Sequence, residues 1–188
     1  MLIINQMMKK KRSKKMENNM HILFTEEQIR QRAKEIGQQI MKDYEGKEVI
    51  LVGTLRGAVV WMADLMKEIT MDGLKIDFIV ASSYSGTNTT GVVKISKDLT
   101  EDVTGKHVII IEDIVDTGIT LNRVLDYIKA RGAETVEICS LLNKPSRRMV
   151  DINPKYCGFD IDNLFVIGYG LDYDQKYRNL PFVAYIDA

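Results

Sequence analysis

Apolar residues recur with two different periods along this chain, and the changes of period mark its elements. Thr25-Glu-Glu-Gln28 has the spacing of a capping box, and Ile29, Ala33, Ile36 and Ile40 then fall on one helical face. Order is expected to begin near Ile22. Glu48–Thr54 is a short apolar run that reads as a strand, and Gly57–Ile69 is almost continuously apolar, the pattern of a buried helix. Lys75–Ala81 reads as a second strand. Ser82–Gly91, rich in Ser, Thr, Gly and Asn, reads as a mobile loop, with a strand at Val92–Ser96 beyond it. His107–Ile111 is a β-branched strand. Leu121–Ala130 sets Leu121, Val124, Leu125 and Ile128 on one face, and Gly132 ends that helix. Thr135–Leu142, Leu164–Ile167 and Phe182–Ile186 are further strands.

Strands alternating with helices predict an α/β fold with a largely parallel central sheet. Central strands of such a sheet are apolar on both faces, as Val108–Ile111 is. Ligands sit beyond the carboxyl ends of the strands. No internal repeat or linker interrupts the pattern, so residues 21–188 are expected to form one domain.

Composition narrows the function classes. Apolar residues make up 45% of the 188, enough for one ordinary core. Lys+Arg and Asp+Glu both total 26, but six of the basic residues and one acid, Glu17, fall within residues 1–20. The rest of the chain therefore carries 20 basic against 25 acidic residues. An acidic body argues against nucleic-acid binding, which calls for a basic face. Residues 1–20 read as a basic, disordered leader, or as sequence upstream of a start at Met16 or Met20. Two His and two isolated Cys, Cys139 and Cys157, exclude a zinc cluster of the usual spacing. No apolar run reaches the length of a membrane span. Nothing suggests secretion, and a cytoplasmic protein is expected.

The candidate chemistry begins at Val108-Ile-Ile-Ile-Glu-Asp-Ile-Val-Asp-Thr-Gly-Ile-Thr120. An apolar strand runs into Glu112 and Asp113, with a third acid at Asp116. Adjacent carboxylates at the end of a buried strand are costly unless they face solvent or a ligand. Vicinal ribose hydroxyls suit them, because a carboxylate accepts hydrogen bonds. Asp116–Thr120 then turns into a helix. Its first backbone N–H groups and the Thr117 and Thr120 hydroxyls make a phosphate cradle, with Gly118 permitting close approach. Ordinary helix capping would explain one acid, but not three acids, two threonines and a glycine at this spacing.

This segment resembles the signature of the type I phosphoribosyltransferases, and its Glu-Asp-Ile-Val-Asp-Thr-Gly form is similar to that of the hypoxanthine-guanine branch. The resemblance covers about residues 22–188 and rests on five separated motifs. It implies a mainly parallel sheet flanked by helices, with a small hood built from the chain ends. It implies transfer of the 5-phosphoribosyl group from 5-phosphoribosyl-1-pyrophosphate to hypoxanthine or guanine, giving IMP or GMP and pyrophosphate, with Mg²⁺ as cofactor. The roles follow by position. Glu112, Asp113, Asp116, Thr117, Gly118, Ile119 and Thr120 hold the ribose phosphate, and Asp116 also acts as base or acid at the purine. Ile119 stands where relatives often carry a basic residue.

Leu55, Arg56 and Gly57, together with Arg178, are implied to hold pyrophosphate; Arg56 replaces the family's usual Lys, and the Leu55–Arg56 peptide is implied to be cis. Ser83 and Tyr84 match a lid. Lys144 is implied to donate to the purine 6-oxo group, which disfavours adenine but not xanthine. Phe165 is implied to stack on the purine and the Val166 backbone to read its edge. Asp172 is implied to lie on the purine side and to join Glu112 and Asp113 around the metal. A homodimer or homotetramer is implied. The rival readings are a regulatory homologue that binds nucleotide and RNA, and a xanthine-preferring transferase.

Overall fold

The computed structural model describes residues 20–83 and 93–186. Strand β1 (Met20–Phe24) leads into helix α1 (Glu26–Asp43). The Thr25 hydroxyl accepts from the Gln28 amide while Gln28 Oε1 accepts from the Thr25 amide, and Ile29, Ala33, Ile36 and Ile40 are all buried. Strand β2 (Val49–Thr54) follows, then helix α2 (Val59–Leu65) and a 3₁₀ turn at Met66–Glu68. The continuous apolar run Gly57–Ile69 thus holds a shorter helix than its pattern predicts. With no polar face to mark the ends, periodicity cannot separate the turn at residues 55–58 from the helix it feeds.

Strand β3 (Leu74–Ser83) is followed by β4 (Val93–Lys97), β5 (His107–Val115), helix α3 (Ile119–Ala130), β6 (Thr135–Asn143), a 3₁₀ turn (Pro145–Arg147), β7 (Tyr156–Asp160), β8 (Val166–Ile167) and β9 (Val183–Ile186). Six strands form one sheet in the order β4-β3-β2-β5-β6-β7, parallel except for the β3–β4 edge pair. A second, antiparallel sheet of β1, β9 and β8 joins the two ends of the described chain, the expected hood.

The central strands alternate between two cores. Leu51, Ile109 and Ile111 face the core under α1 and α2. Ile50, Val52, Val108 and Ile110 face the core under α3, where Leu121, Val124 and Ile128 pack. Such two-sided burial is why β2 and β5 are nearly all apolar.

Strand β7 was not evident from its Tyr-Cys-Gly-Phe-Asp sequence, because glycine weakens a strand signal. Gly158 is there for fit: a methyl group on it would collide with the Leu141 carbonyl of β6. β7 is an edge strand, and Arg32 of α1 donates to its Cys157 and Gly158 carbonyls at 2.7 to 3.2 Å. No helix among the described residues is long and apolar enough to cross a membrane. Cys139 and Cys157 are free thiols.

Candidate active site

β5 extends beyond the residues its sequence suggested. It runs to Val115, and Glu112, Ile114 and Val115 keep their register with Ser140, Leu142 and Asn143 of β6. On the other side, the ladder with β2 ends at Gly53 opposite Ile111. There β2 turns away, with Leu55 N–H donating to the Ile79 carbonyl and Thr54 Oγ1 donating to the Ile111 carbonyl. The acids at 112 and 113 therefore leave the strand into a gap instead of another ladder.

That gap is a cavity of about 380 Å³. Leu55, Arg56 and Gly57 line it from the turn after β2, Glu112, Asp113, Asp116, Thr117, Gly118 and Thr120 from the end of β5, and Asp172 and Arg178 from the loop before β9. Eleven of the residues singled out in the sequence thus share one cavity. The Leu55–Arg56 peptide is cis, as the resemblance implies. Ile119 points away and is partly exposed. Ser83 ends β3, while Tyr84 lies outside the described residues, as do residues 1–19.

Burial, and then the adjacent Asp113 carboxylate, push the Glu112 pKa well above its ordinary value, with Thr54 opposing the shift. A carboxylate pair in this state is relieved by hydroxyl donors or by a cation. The donor set is all oxygen, the kind a hard divalent ion takes. Among the described residues no three of His, Cys, Asp and Glu gather closely enough to hold an ion alone. Glu112, Asp113 and Asp172, which the resemblance implies around a metal, do not by themselves make such a group.

The turn from β5 into α3 is shaped by Gly118, the N-cap of α3, at φ 81° in the left-handed region. A side chain there would also press on Ile152 and Val150. No side chain caps α3, so the amides of its first turn remain for a ligand. The simple capping explanation for Asp116 and Thr117 thus does not hold.

Four further contacts escaped the sequence reading, and all come from polar loops that periodicity cannot resolve. Arg147 Nε donates to Asp116 Oδ1 at 3.1 Å, and Arg148 donates to the Asp116 carbonyl at 2.6 Å. Tyr169, at φ 49°, donates from its hydroxyl to Asp64 of α2 at 2.5 Å. Gly170 packs so closely that a methyl group would strike the Gly57 carbonyl. These last two contacts pin the 168–178 loop to α2 and to the turn after β2. Within that loop, Asp172 accepts from the Gln175 amide at 2.8 Å and pairs with Arg178 at 2.6 Å. The one signal for the first group was the pair of cations Arg147-Arg148 close behind Lys144.

Lys144, Phe165 and Val166 stand apart from the cavity lining. Lys144 is buried, and its N–H donates to the Val115 carbonyl at 2.9 Å, so it sits beside the end of β5. Burial lowers its pKa; the Asp116 carboxylate opposes that, and Arg147 adds to it. Phe165 is 52% exposed with its ring edge-on to Tyr173 at 5.5 Å, and Val166 is buried in β8.

Residues 20–174 match the family model described as the phosphoribosyl transferase domain, and the chain belongs to that family. It is 50% identical over 164 residues to the hypoxanthine-guanine phosphoribosyltransferase of Streptococcus thermophilus, covering 87% of this chain and 91% of that protein. It is 46% identical over 172 residues to the hypoxanthine phosphoribosyltransferase of Salmonella typhimurium, covering 90% and 96%. The crystal structure of a Staphylococcus aureus hypoxanthine phosphoribosyltransferase superposes with a TM-score of 0.87 at 46% identity, over 92% of this chain and 94% of that one. Within the family, these relatives assign the chain to the hypoxanthine and hypoxanthine-guanine branch.

Proposed function

We propose that the chain transfers the 5-phosphoribosyl group from 5-phosphoribosyl-1-pyrophosphate to hypoxanthine and guanine, giving IMP and GMP, in purine salvage. One observation carries the reading. The end of β5 gathers Glu112, Asp113 and Asp116 with an uncapped helix start and with Arg56 and Arg178, in one cavity. That is two carboxylates for a diol, a cradle for one phosphate, and two cations for a pyrophosphate.

In this mechanism a purine nitrogen forms a bond to C1 of the ribose as the bond from C1 to pyrophosphate oxygen breaks. The electron pair leaves with pyrophosphate, and Asp116 accepts the proton given up at N7. Charge builds on the departing oxygens and on the sugar ring. The work of the chain is to hold the two reactants in line and neutralise that charge. Glu112 and Asp113 orient the ribose hydroxyls. Arg56, Arg178 and the backbone of Leu55 and Gly57 receive the pyrophosphate. Lys144 donates to the 6-oxo group, and Phe165 and Val166 bound the base.

Glu112, Asp113 and Asp172 would hold Mg²⁺ jointly with substrate oxygens. When bound, the ion would supply charge neutralisation on the pyrophosphate. A cytoplasmic homodimer or homotetramer accompanies the reading, and the free thiols are consistent with a reducing compartment. The test is a spectrophotometric assay with phosphoribosyl pyrophosphate, Mg²⁺ and each of hypoxanthine, guanine, xanthine and adenine. Turnover with the first two supports the reading, preference for xanthine revises it, and no turnover with any base overturns it.

A further inference from the structure

Lys144 to Arg147 make one turn of 3₁₀ helix, with Arg147 N–H donating to the Lys144 carbonyl at 3.1 Å. Pro145 starts it, since its fixed φ suits a first helical position and its missing N–H is not needed there. Lys144 caps that turn and Arg147 closes it, and both feel Asp116.

The two cations fare differently. Arg147, whose side chain is 47% exposed, pairs with one oxygen of Asp116. Lys144 is largely buried as a residue, and its ammonium donates no hydrogen bond among the described residues. An ammonium beside a carboxylate ordinarily takes it as partner, because opposite charges attract more strongly where water is scarce. Here the partner is already engaged. Arg148 holds only the backbone carbonyl of residue 116, so the Arg147 contact governs the carboxylate alone.

We infer that Arg147 is a positioning residue: by engaging Asp116 Oδ1 it keeps Asp116 from pairing with Lys144, and so leaves the Lys144 ammonium available for the purine 6-oxo group. The second oxygen of Asp116 accepts no hydrogen bond among the described residues, which leaves it for the base. Arg147 can hold this contact weakly and still serve, since the pair is half exposed and base binding need not break a strong bond. The inference rests on the proposed roles of Lys144 and Asp116.

The experiment is a double-mutant cycle in the full-length protein, with Arg147→Ala, Asp116→Asn and both together, read as KM for hypoxanthine and KM for phosphoribosyl pyrophosphate. Arg147→Ala is expected to raise KM for hypoxanthine about 3- to 5-fold, the span of a half-exposed ion pair, and to leave that for phosphoribosyl pyrophosphate within about twofold. Arg147→Lys should restore the base KM. In the Asp116→Asn background the same substitution should do nothing to it, because Lys144 then has no carboxylate to lose itself to. Arg147→Gln serves where the alanine variant melts early. An unchanged base KM overturns the inference, and so does an equal rise in the Asp116→Asn background. The kcat of Asp116→Asn alone tests the catalytic reading separately, so the two can fail independently.

Discussion

The α-carbon of Gly57 lies against the carboxylate of Asp113, with no room for a single added methyl group. The turn after β2 and the end of β5 therefore interlock through two residues 56 positions apart in sequence. Gly57→Ala must displace the Asp113 side chain or the turn. Overpacking of this kind costs on the order of 1–3 kcal/mol, and here it falls on the residues proposed to hold sugar and pyrophosphate. KM for phosphoribosyl pyrophosphate is expected to rise about tenfold or more, with KM for hypoxanthine less affected. Steady-state kinetics with each substrate varied in turn would check it.

Asp116→Asn keeps the shape of the side chain and removes its capacity to take a proton. It is expected to lower kcat on the order of 10²-fold, as for other general acid–base groups, with little change in affinity for phosphoribosyl pyrophosphate. A kcat equal to that of the parent would remove Asp116 from the role.

Lys144→Ala removes a cation whose ammonium donates no hydrogen bond among the described residues. A hydrogen bond to a charged group is worth about 1.5–3 kcal/mol, so KM for hypoxanthine and guanine should rise by roughly tenfold or more. KM for phosphoribosyl pyrophosphate should hardly move. Equal rises in both would separate Lys144 from base recognition.

Asp77 carries a stability prediction. Its buried carboxylate accepts from the amides of Phe78, Thr100 and Glu101 and pairs with Lys97 at 3.2 Å. Burial alone would raise its pKa, but the Glu101, Phe78 and Thr100 amides and then Lys97 outweigh it and hold the group at about 2. The folded value lies below the unfolded one. The stabilisation, about 2 kcal/mol, is thus present above pH 4 and is lost as pH falls toward 2. Urea unfolding at pH 7 and pH 2.5 should show the gap between parent and Asp77→Asn narrowing at the lower pH.

Much of this architecture was legible in the sequence, for reasons that differ by element. The β5 acids, the Gly-Thr turn and the α1 capping box each pair a residue type with a local geometry, so spacing alone reveals them. The contacts of Arg147 and Tyr169 are tertiary: nothing local says that a cation behind Pro145 reaches across 31 residues to Asp116, or that Tyr169 reaches Asp64. β7 was hidden because its glycine answers to a neighbour's backbone and not to its own strand. The helix after β2 was overextended because a wholly apolar run carries no phase.

The ladder between β2 and β5 stops at Gly53 and Ile111, while β5 continues against β6 to Val115. A bound substrate would then occupy the flank of β5 where a neighbouring strand would otherwise run.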